Sequence, residues 1–136
     1  MHVGADVGGA EAAGDLGGTW YANRYPGARF DSESYTYGYT FSREVLDEWH
    51  WKELFSGQPE NLRYLEFVAD KFDLRRHMRF DARVEAMRWD EGERLWQLEV
   101  ANGDAYTARF VVTGIGVLSV PTLPRYEGLD DFEGDA

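Results

Sequence analysis

The sequence predicts an α/β domain. Three observations predict it: apolar residues at helical spacing between residues 43 and 72, strict alternation on either side of Asn102-Gly103, and a glycine-rich start that runs into an aromatic loop.

Residues 1–18 hold six glycines. They contain a near-repeat, Gly4-Ala5-Asp6-Val7-Gly8-Gly9 and Ala13-Gly14-Asp15-Leu16-Gly17-Gly18, which suits either a glycine loop or a rearranged terminus. Residues 19–41 read as an irregular, Tyr-rich loop, with Pro26-Gly27 as its turn signal. Ser42 is a good helix N-cap, and Glu44 suits the first turn. Val45, Leu46, Trp49 and Leu54 then share a face, so the spacing predicts a helix over roughly 43–55, ended by Gly57. Pro59 suits the first position of a second helix, and Leu62, Leu65, Val68, Ala69 and Phe72 carry it to about Phe72.

The pattern then changes to period two. Val84, Ala86 and Met87 to Trp89 suggest one strand, and residues 95–100 alternate clearly. Asn102-Gly103 is a turn signal, and Tyr106 to Val112 is the returning strand. Residues 79–116 therefore read as an antiparallel meander leading into one buried parallel-type strand, Phe110-Val111-Val112, which ends at Thr113-Gly114-Ile115-Gly116. Pro121 and Pro124 bracket an extended connector, and an acidic tail follows.

The bulk numbers exclude several classes of function. A net charge of −11, from 25 acidic and 14 basic residues, repels nucleic acid and anionic membranes. No apolar run reaches the ~18 residues of a membrane span. Residues Met1 to Ala13 lack the basic-then-apolar order of a secretory signal, so a cytoplasmic setting is expected. The absence of cysteine excludes disulfides and thiol chemistry. His2, His50 and His77 share no metal-ligand spacing, and His50 reads as a helix-surface residue.

The most specific stretch runs from Gly17-Gly18-Thr19-Trp20-Tyr21 through Asn23-Arg24-Tyr25-Pro26-Gly27 to Arg29-Phe30-Asp31. Adjacent glycines let a backbone pass close to a flat or phosphorylated ligand, and the rings offer faces and edges. Taken residue type by residue type, a surface loop with a Pro-Gly turn explains the stretch as well or better.

The order of the residues resembles the loop of Baeyer–Villiger monooxygenases that follows the adenine-side acid and runs under the flavin. That family reads Glu, a short gap, Gly-Gly-Thr-Trp, then Asn-Arg-Tyr-Pro-Gly-x-x-x-Asp. The resemblance continues through Glu33-Ser34, Tyr37, Tyr39 to Ser42, Gln58-Pro59-Glu60, Leu62-Arg63-Tyr64, Val68 to Leu74 and Gly116 to Pro121. It implies a partial FAD-binding domain of the two-dinucleotide-binding, glutathione-reductase-like kind, with a β-meander and a helical insert. Residues 1–18 would be a degenerate glycine-rich start, 19–41 the flavin loop, 42–75 the helical segment, 79–116 the meander and return strand, and 117–136 a linker toward an NADPH domain.

Residue by residue, the resemblance makes Glu11 the acid that accepts hydrogen bonds from the adenosine ribose hydroxyls. Without its flanks, Glu11 would read as a solvated glutamate. Gly17, Gly18, Thr19, Trp20, Tyr21 and Tyr37 match positions lining the flavin, and Val84 matches the residue whose backbone meets the adenine. The family usually has a further Trp where this chain has Ala22. Gly116 matches the second crossover beside the cofactor, with an ordinary strand-end turn as the plainer reading. Arg29, Phe30 and Asp31 match residues on the nicotinamide side. Asp31 is the catalytic candidate, because the family's carboxylate there pairs with an arginine from a later domain that steadies developing negative charge. A turn-capping Asp is the alternative.

The pattern breaks in two places. The family's Gly-x-Gly-x-x-Gly normally lies about twenty residues before the acid, whereas Gly4, Asp6 and Gly9 sit almost against Glu11. A pyrophosphate site of the usual kind is not expected, nor is tight FAD binding by this polypeptide. Phe132-Glu133-Gly134 matches only the first three positions of the fingerprint Phe-x-Gly-x-x-x-His-x-x-x-Trp. The resemblance thus implies FAD- and NADPH-dependent insertion of one oxygen atom from O2 into a ketone, by a protein of which this chain is a part that is inactive alone and lacks a C-terminal partner segment. An N- or S-oxidising flavin monooxygenase and a non-catalytic fragment are the alternatives.

Overall fold

The computed structural model describes residues 8–118, 120, 122, 124–128 and 131–134. His2, Gly4, Asp6 and Pro121 lie outside the described residues, and with them residues 4–7 of the near-repeat.

The elements run β1 (Gly9–Ala10), α1 (Thr19–Ala22), α2 (Ser34–Tyr37), α3 (Arg43–Glu48), α4 (Gln58–Lys71), β2 (Met78–Arg79), β3 (Val84–Asp90), β4 (Leu95–Val100) and β5 (Ala105–Ala108). A single 3-10 turn, Arg75–His77, leads into β2. Among the described residues, no helix is long and apolar enough to cross a membrane.

Helix α4 is the spine. Pro59 sits in its first turn, Glu60 and Lys71 complement the dipole at opposite ends, and Tyr64, Val68 and Ala69 turn inward. The core cluster is Val45, Tyr64 and Val68, with Trp49, Trp51, Leu65 and Phe67 packed against it. Lys71 pairs with Glu44 and Glu48, tying α3 to the C-terminal end of α4.

Helix α3 starts where the sequence predicts, with the Ser42 hydroxyl accepting from Val45 N–H. It ends at Glu48, far short of residue 55. Trp49 is extended, at φ −94° and ψ 126°, and its ring packs on Trp51, Tyr64 and Phe67. Burying that ring on α4 outweighs continuing the helix, and it leaves Leu54 exposed and His50 in the connection. Gly57 does not end this helix; it caps the start of α4. The loop predicted over 19–41 contains two one-turn helices, α1 and α2.

There are two sheets. Strands β1 and β2 pair in parallel, Gly9 with Met78 and Ala10 with Arg79. Hydrogen bonds from Glu11 N to Arg79 O (2.8 Å) and from Ala82 N to Glu11 O (2.8 Å) extend the pairing. The order β3-β4-β5 is the predicted antiparallel meander, with Trp89 opposite Trp96. Gly103 takes φ +92° at the predicted turn, and Asp104 N donates to the Asn102 side chain at 2.9 Å.

The parallel strand predicted at Phe110–Val112 does not form; the parallel pair is β1 with β2. The return strand stops at Ala108. Phe110 and Val112 are 85% and 93% exposed. A parallel strand needs a neighbour and cover on both faces, and among the described residues nothing pairs with this stretch. The chain exposes 11212 Å², against roughly 7,000 Å² for a compact folded monomer of its mass.

Candidate functional site

The Gly17-Gly18 turn opens the candidate site. Gly17 is at φ +123°, and a Cβ there would lie 2.5 Å from Leu62 Cδ1 and 3.1 Å from Tyr21 Cβ. Packing of the turn on α4 therefore accounts for this glycine. Gly18, at φ +51°, has open space where a Cβ would go. Gly17→Ala is expected to cost about 1–3 kcal/mol, the range for a side chain forced into a sparsely populated backbone region. Gly18→Ala should cost less, since its strain meets no steric contact. Thermal melts of the two variants check this, and the reverse order would refute the packing account.

Asp15 precedes the turn and holds it from the other side. Its carboxylate accepts from Leu16 N–H at 2.7 Å and from Arg75 at 2.5 Å. The backbone donor, then the guanidinium, hold this carboxyl below its ordinary range. Arg75 also reaches Asp70 at 3.3 Å, so the start of the loop is fastened to the end of α4.

Three predicted residues meet in one cluster of rings. Trp20 is buried on α1, Phe30 follows the Pro-Gly turn, and Tyr37 ends α2. The Phe30 and Tyr37 rings stack with centroids 4.8 Å apart. Trp20 lies 5.7 Å from Phe30 and edge-on to Tyr37 at 6.2 Å. Its indole Nε1–H donates to the Tyr37 hydroxyl at 2.8 Å. These separations are in the favourable range for aromatic pairs, and the shared hydrogen bond fixes their angle. Tyr37 stays 37% exposed, so the cluster presents an aromatic edge to its surroundings.

The other predicted residues spread out from this cluster. Thr19 begins α1 and is exposed. The Tyr21 ring lies beneath Arg24, whose guanidinium carbon is 5.2 Å from the ring centroid. Arg29 donates to Glu53 (3.2 Å) and to Phe55 O (3.0 Å). Asp31 is exposed and has no hydrogen bond or ion pair among the described residues. It caps no helix either, since the N-cap of α2 is Glu33. Glu11 stands just past β1; its Oε1 accepts from Ala13 N–H at 2.9 Å, and Oε2 carries no hydrogen bond among the described residues. Val84 opens β3, two residues after Ala82, whose N–H binds Glu11 O. Glu11 and Val84 are thus brought to one neighbourhood. Gly116, at φ +71°, has nothing within 4 Å of a Cβ position and joins neither group.

Gln58, Ser34, Ser56 and Glu60 are buried polar residues that the sequence does not mark as site residues. Gln58 donates from its side chain to Trp20 O, and from its backbone N–H to Ala28 O at 2.7 Å. It therefore fastens both chain segments that carry the rings. Ser34, Ser56 and Glu60 form a buried hydrogen-bonded chain beneath α2. Their signal was a set of polar residues at the start of a helix that otherwise buries one apolar face. Burial also raises the Tyr39 and Tyr64 phenols above their ordinary range, with nearby Tyr37 adding to both.

An open groove of about 390 Å³ lies between Tyr35, Val45, Trp49, Trp51 and Tyr64, and none of the predicted site residues lines it. Among the described residues, no cluster of three His, Cys, Asp or Glu side chains is arranged to hold a metal ion.

No protein-family model matches the chain. It is 47% identical over 135 residues to a 2-oxo-Δ3-4,5,5-trimethylcyclopentenylacetyl-CoA monooxygenase of Pseudomonas putida, covering 99% of this chain and 25% of that protein. It is 45% identical over 131 residues to a Baeyer–Villiger monooxygenase of Pseudooceanicola batsensis, covering 96% and 24%. The fold superposes with a TM-score of 0.84 on the crystal structure of OTEMO in complex with FAD and NADP, at 47% identity, covering 95% of this chain and 24% of that one. The chain thus spans about a quarter of the length of the relatives it matches. Along nearly all of its residues, in sequence and in fold, the chain is thus similar to about one quarter of a Baeyer–Villiger monooxygenase.

Proposed function

We propose that these residues form part of the FAD-binding domain of a FAD- and NADPH-dependent monooxygenase that inserts one oxygen atom of O2 into a ketone, giving an ester or lactone. Residues 117–136 are then the linker toward the NADPH domain. The observation that carries this reading is the Trp20–Phe30–Tyr37 cluster, assembled from three separate segments, with Gly18, whose Cβ position is open, two residues before Trp20.

The residues present suit FAD at two points. Glu11 offers a carboxylate oxygen with no other hydrogen bond among the described residues, which suits a pair of ribose hydroxyls. The ring cluster offers an aromatic edge next to backbone that no side chain covers. When bound, FAD supplies the redox chemistry that activates O2. The chain's own residues bind and orient. Glu11 holds the adenosine end, Gly18 admits close approach, and Trp20 with Tyr37 walls the flavin. Phe30 and Asp31 face the nicotinamide and substrate side.

The test is a graft of these 136 residues in place of the matching quarter of the Pseudooceanicola batsensis relative. The graft is expected to keep FAD through gel filtration and to form ester from a ketone with NADPH. Replacing Tyr37 by Ala in it should weaken FAD retention. A graft that folds but elutes colourless would overturn the assignment.

A further inference from the structure

Glu60 is a buried carboxylate on the first turn of α4, 7% exposed, and no salt bridge among the described residues reaches it. Its Oε1 accepts from Lys52 N–H at 3.0 Å and its Oε2 from the Ser56 hydroxyl at 2.9 Å. Ser56, fully buried, has one hydroxyl proton and gives it to Glu60. Its oxygen therefore remains an acceptor toward the Ser34 hydroxyl, 2.8 Å away, which shares its one proton with Glu53 O (2.7 Å) and Leu54 O (3.0 Å). Ser56 N–H donates back to Ser34 Oγ at 3.0 Å. Ser34 N–H meanwhile donates to Leu54 O at 2.7 Å. Ser34 begins α2, and one turn later α2 ends at Tyr37, the ring that stacks on Phe30 and accepts from the Trp20 indole.

We propose that Glu60 is a positioning residue: acting through Ser56 and Ser34, it fixes α2 and thereby sets the Tyr37 ring against Phe30 and Trp20. This deepens the flavin reading above and rests on it for the ligand, a flat heteroaromatic ring system. The network makes the placement specific because Glu60 fixes Ser56, and an α2 shifted off this site would leave the buried Ser56 N–H without Ser34 Oγ and the Ser34 hydroxyl without Ser56 Oγ, Glu53 O and Leu54 O. The apolar core of Val45, Tyr64 and Val68 includes none of the three.

The test reads hydrogen exchange of the Trp20 indole Nε1–H in the isotope-labelled chain, with the Trp89 and Trp96 indoles on β3 and β4 as internal controls. Glu60→Leu keeps the bulk and removes the acceptors. It is expected to speed Trp20 indole exchange on the order of tenfold, the size associated with losing one buried hydrogen bond, while the control indoles keep their rates. Glu60→Gln should restore slow exchange. Its oxygen takes the Lys52 N–H, its amide donates to Ser56, and the Ser56 proton turns to Ser34. Unchanged Trp20 exchange in folded Glu60→Leu would overturn the proposal, as would a Glu60→Gln variant as fast as Glu60→Leu. If Glu60→Leu fails to fold, Ser56→Ala cuts the same chain at its middle, and unchanged exchange there is equally fatal. None of these readouts uses FAD. A Glu60-dependent Trp20 rate in a segment whose graft holds no FAD would sink the flavin reading and leave the positioning role standing.

Discussion

Tyr64→Ala is expected to destabilise the chain by about 3–5 kcal/mol, the range for truncating a buried aromatic ring. Tyr64 is 1% exposed, and its ring lies 4.8 Å from Trp51, 5.2 Å from Trp49 and 5.7 Å from Tyr39. Its hydroxyl also accepts from Tyr39 N–H at 2.6 Å, joining α4 to the chain just beyond α2. A domain whose total stability is of order 5–15 kcal/mol would lose a large share of it. Tyr64→Phe separates the two contributions. It keeps the ring and gives up one hydrogen bond, so its cost should be about 1 kcal/mol. Urea midpoints at unchanged slope give both numbers. Equally large losses for the two variants would move the weight from ring packing to the hydroxyl. A Tyr64→Ala loss as small as that of Tyr64→Phe would remove Tyr64 from the centre of the core.

What the sequence made legible is what local chemistry decides. The Ser42 cap, Pro59 in the first turn of α4 and the Asn102-Gly103 turn each act within a few residues, and each is where the pattern put it. The misses are tertiary. Helix α3 stops because the Trp49 ring finds Tyr64 and Phe67 on α4, which no window around residue 49 contains. The pairing of β1 with β2 joins two dipeptides on either side of all four helices, too short to announce themselves. Phe110 to Val112 has the composition of a buried strand, but composition does not supply the neighbours that burial requires.

The site divides in the same way. Trp20, Phe30 and Tyr37 could be named from the order of residues in the loop, and their contact follows from the fold. Gln58, Ser34, Ser56 and Glu60 could not, because a polar residue at a helix start reads as solvated until something covers it. Gln58-Pro59-Glu60 was visible as a match, yet its meaning depends on Trp20 O and Ser56 lying above it.

Asp31→Ala carries the second large expectation, in a full-length monooxygenase holding this segment. The Asp31 carboxylate has no partner among the described residues, and the adjacent Arg29 is committed to Glu53 and Phe55 O. The N-cap of α2 is Glu33, so Asp31 does not cap that helix. A carboxylate left open beside Phe30 suits a cation brought by another part of the protein, such as the later arginine that the resemblance implies. Asp31 is exposed in this chain, but in a protein whose later domain covers the pair, removing one member costs about 3–5 kcal/mol, because the other charge is left uncompensated. Part of that loss should appear as lower stability and part as misplacement of the arginine. A misplaced arginine no longer steadies negative charge during oxygen transfer, so FAD should stay bound while NADPH is consumed with hydrogen peroxide released in place of ester. A purely structural aspartate would instead lower the melting temperature by a cap-sized loss of about 0.5–2 kcal/mol and leave the coupling alone. The deciding measurement is ester formed per NADPH consumed in Asp31→Ala against the parent. If that ratio and the rate are both unchanged, Asp31 belongs to the scaffold and the arginine finds its counter-charge elsewhere.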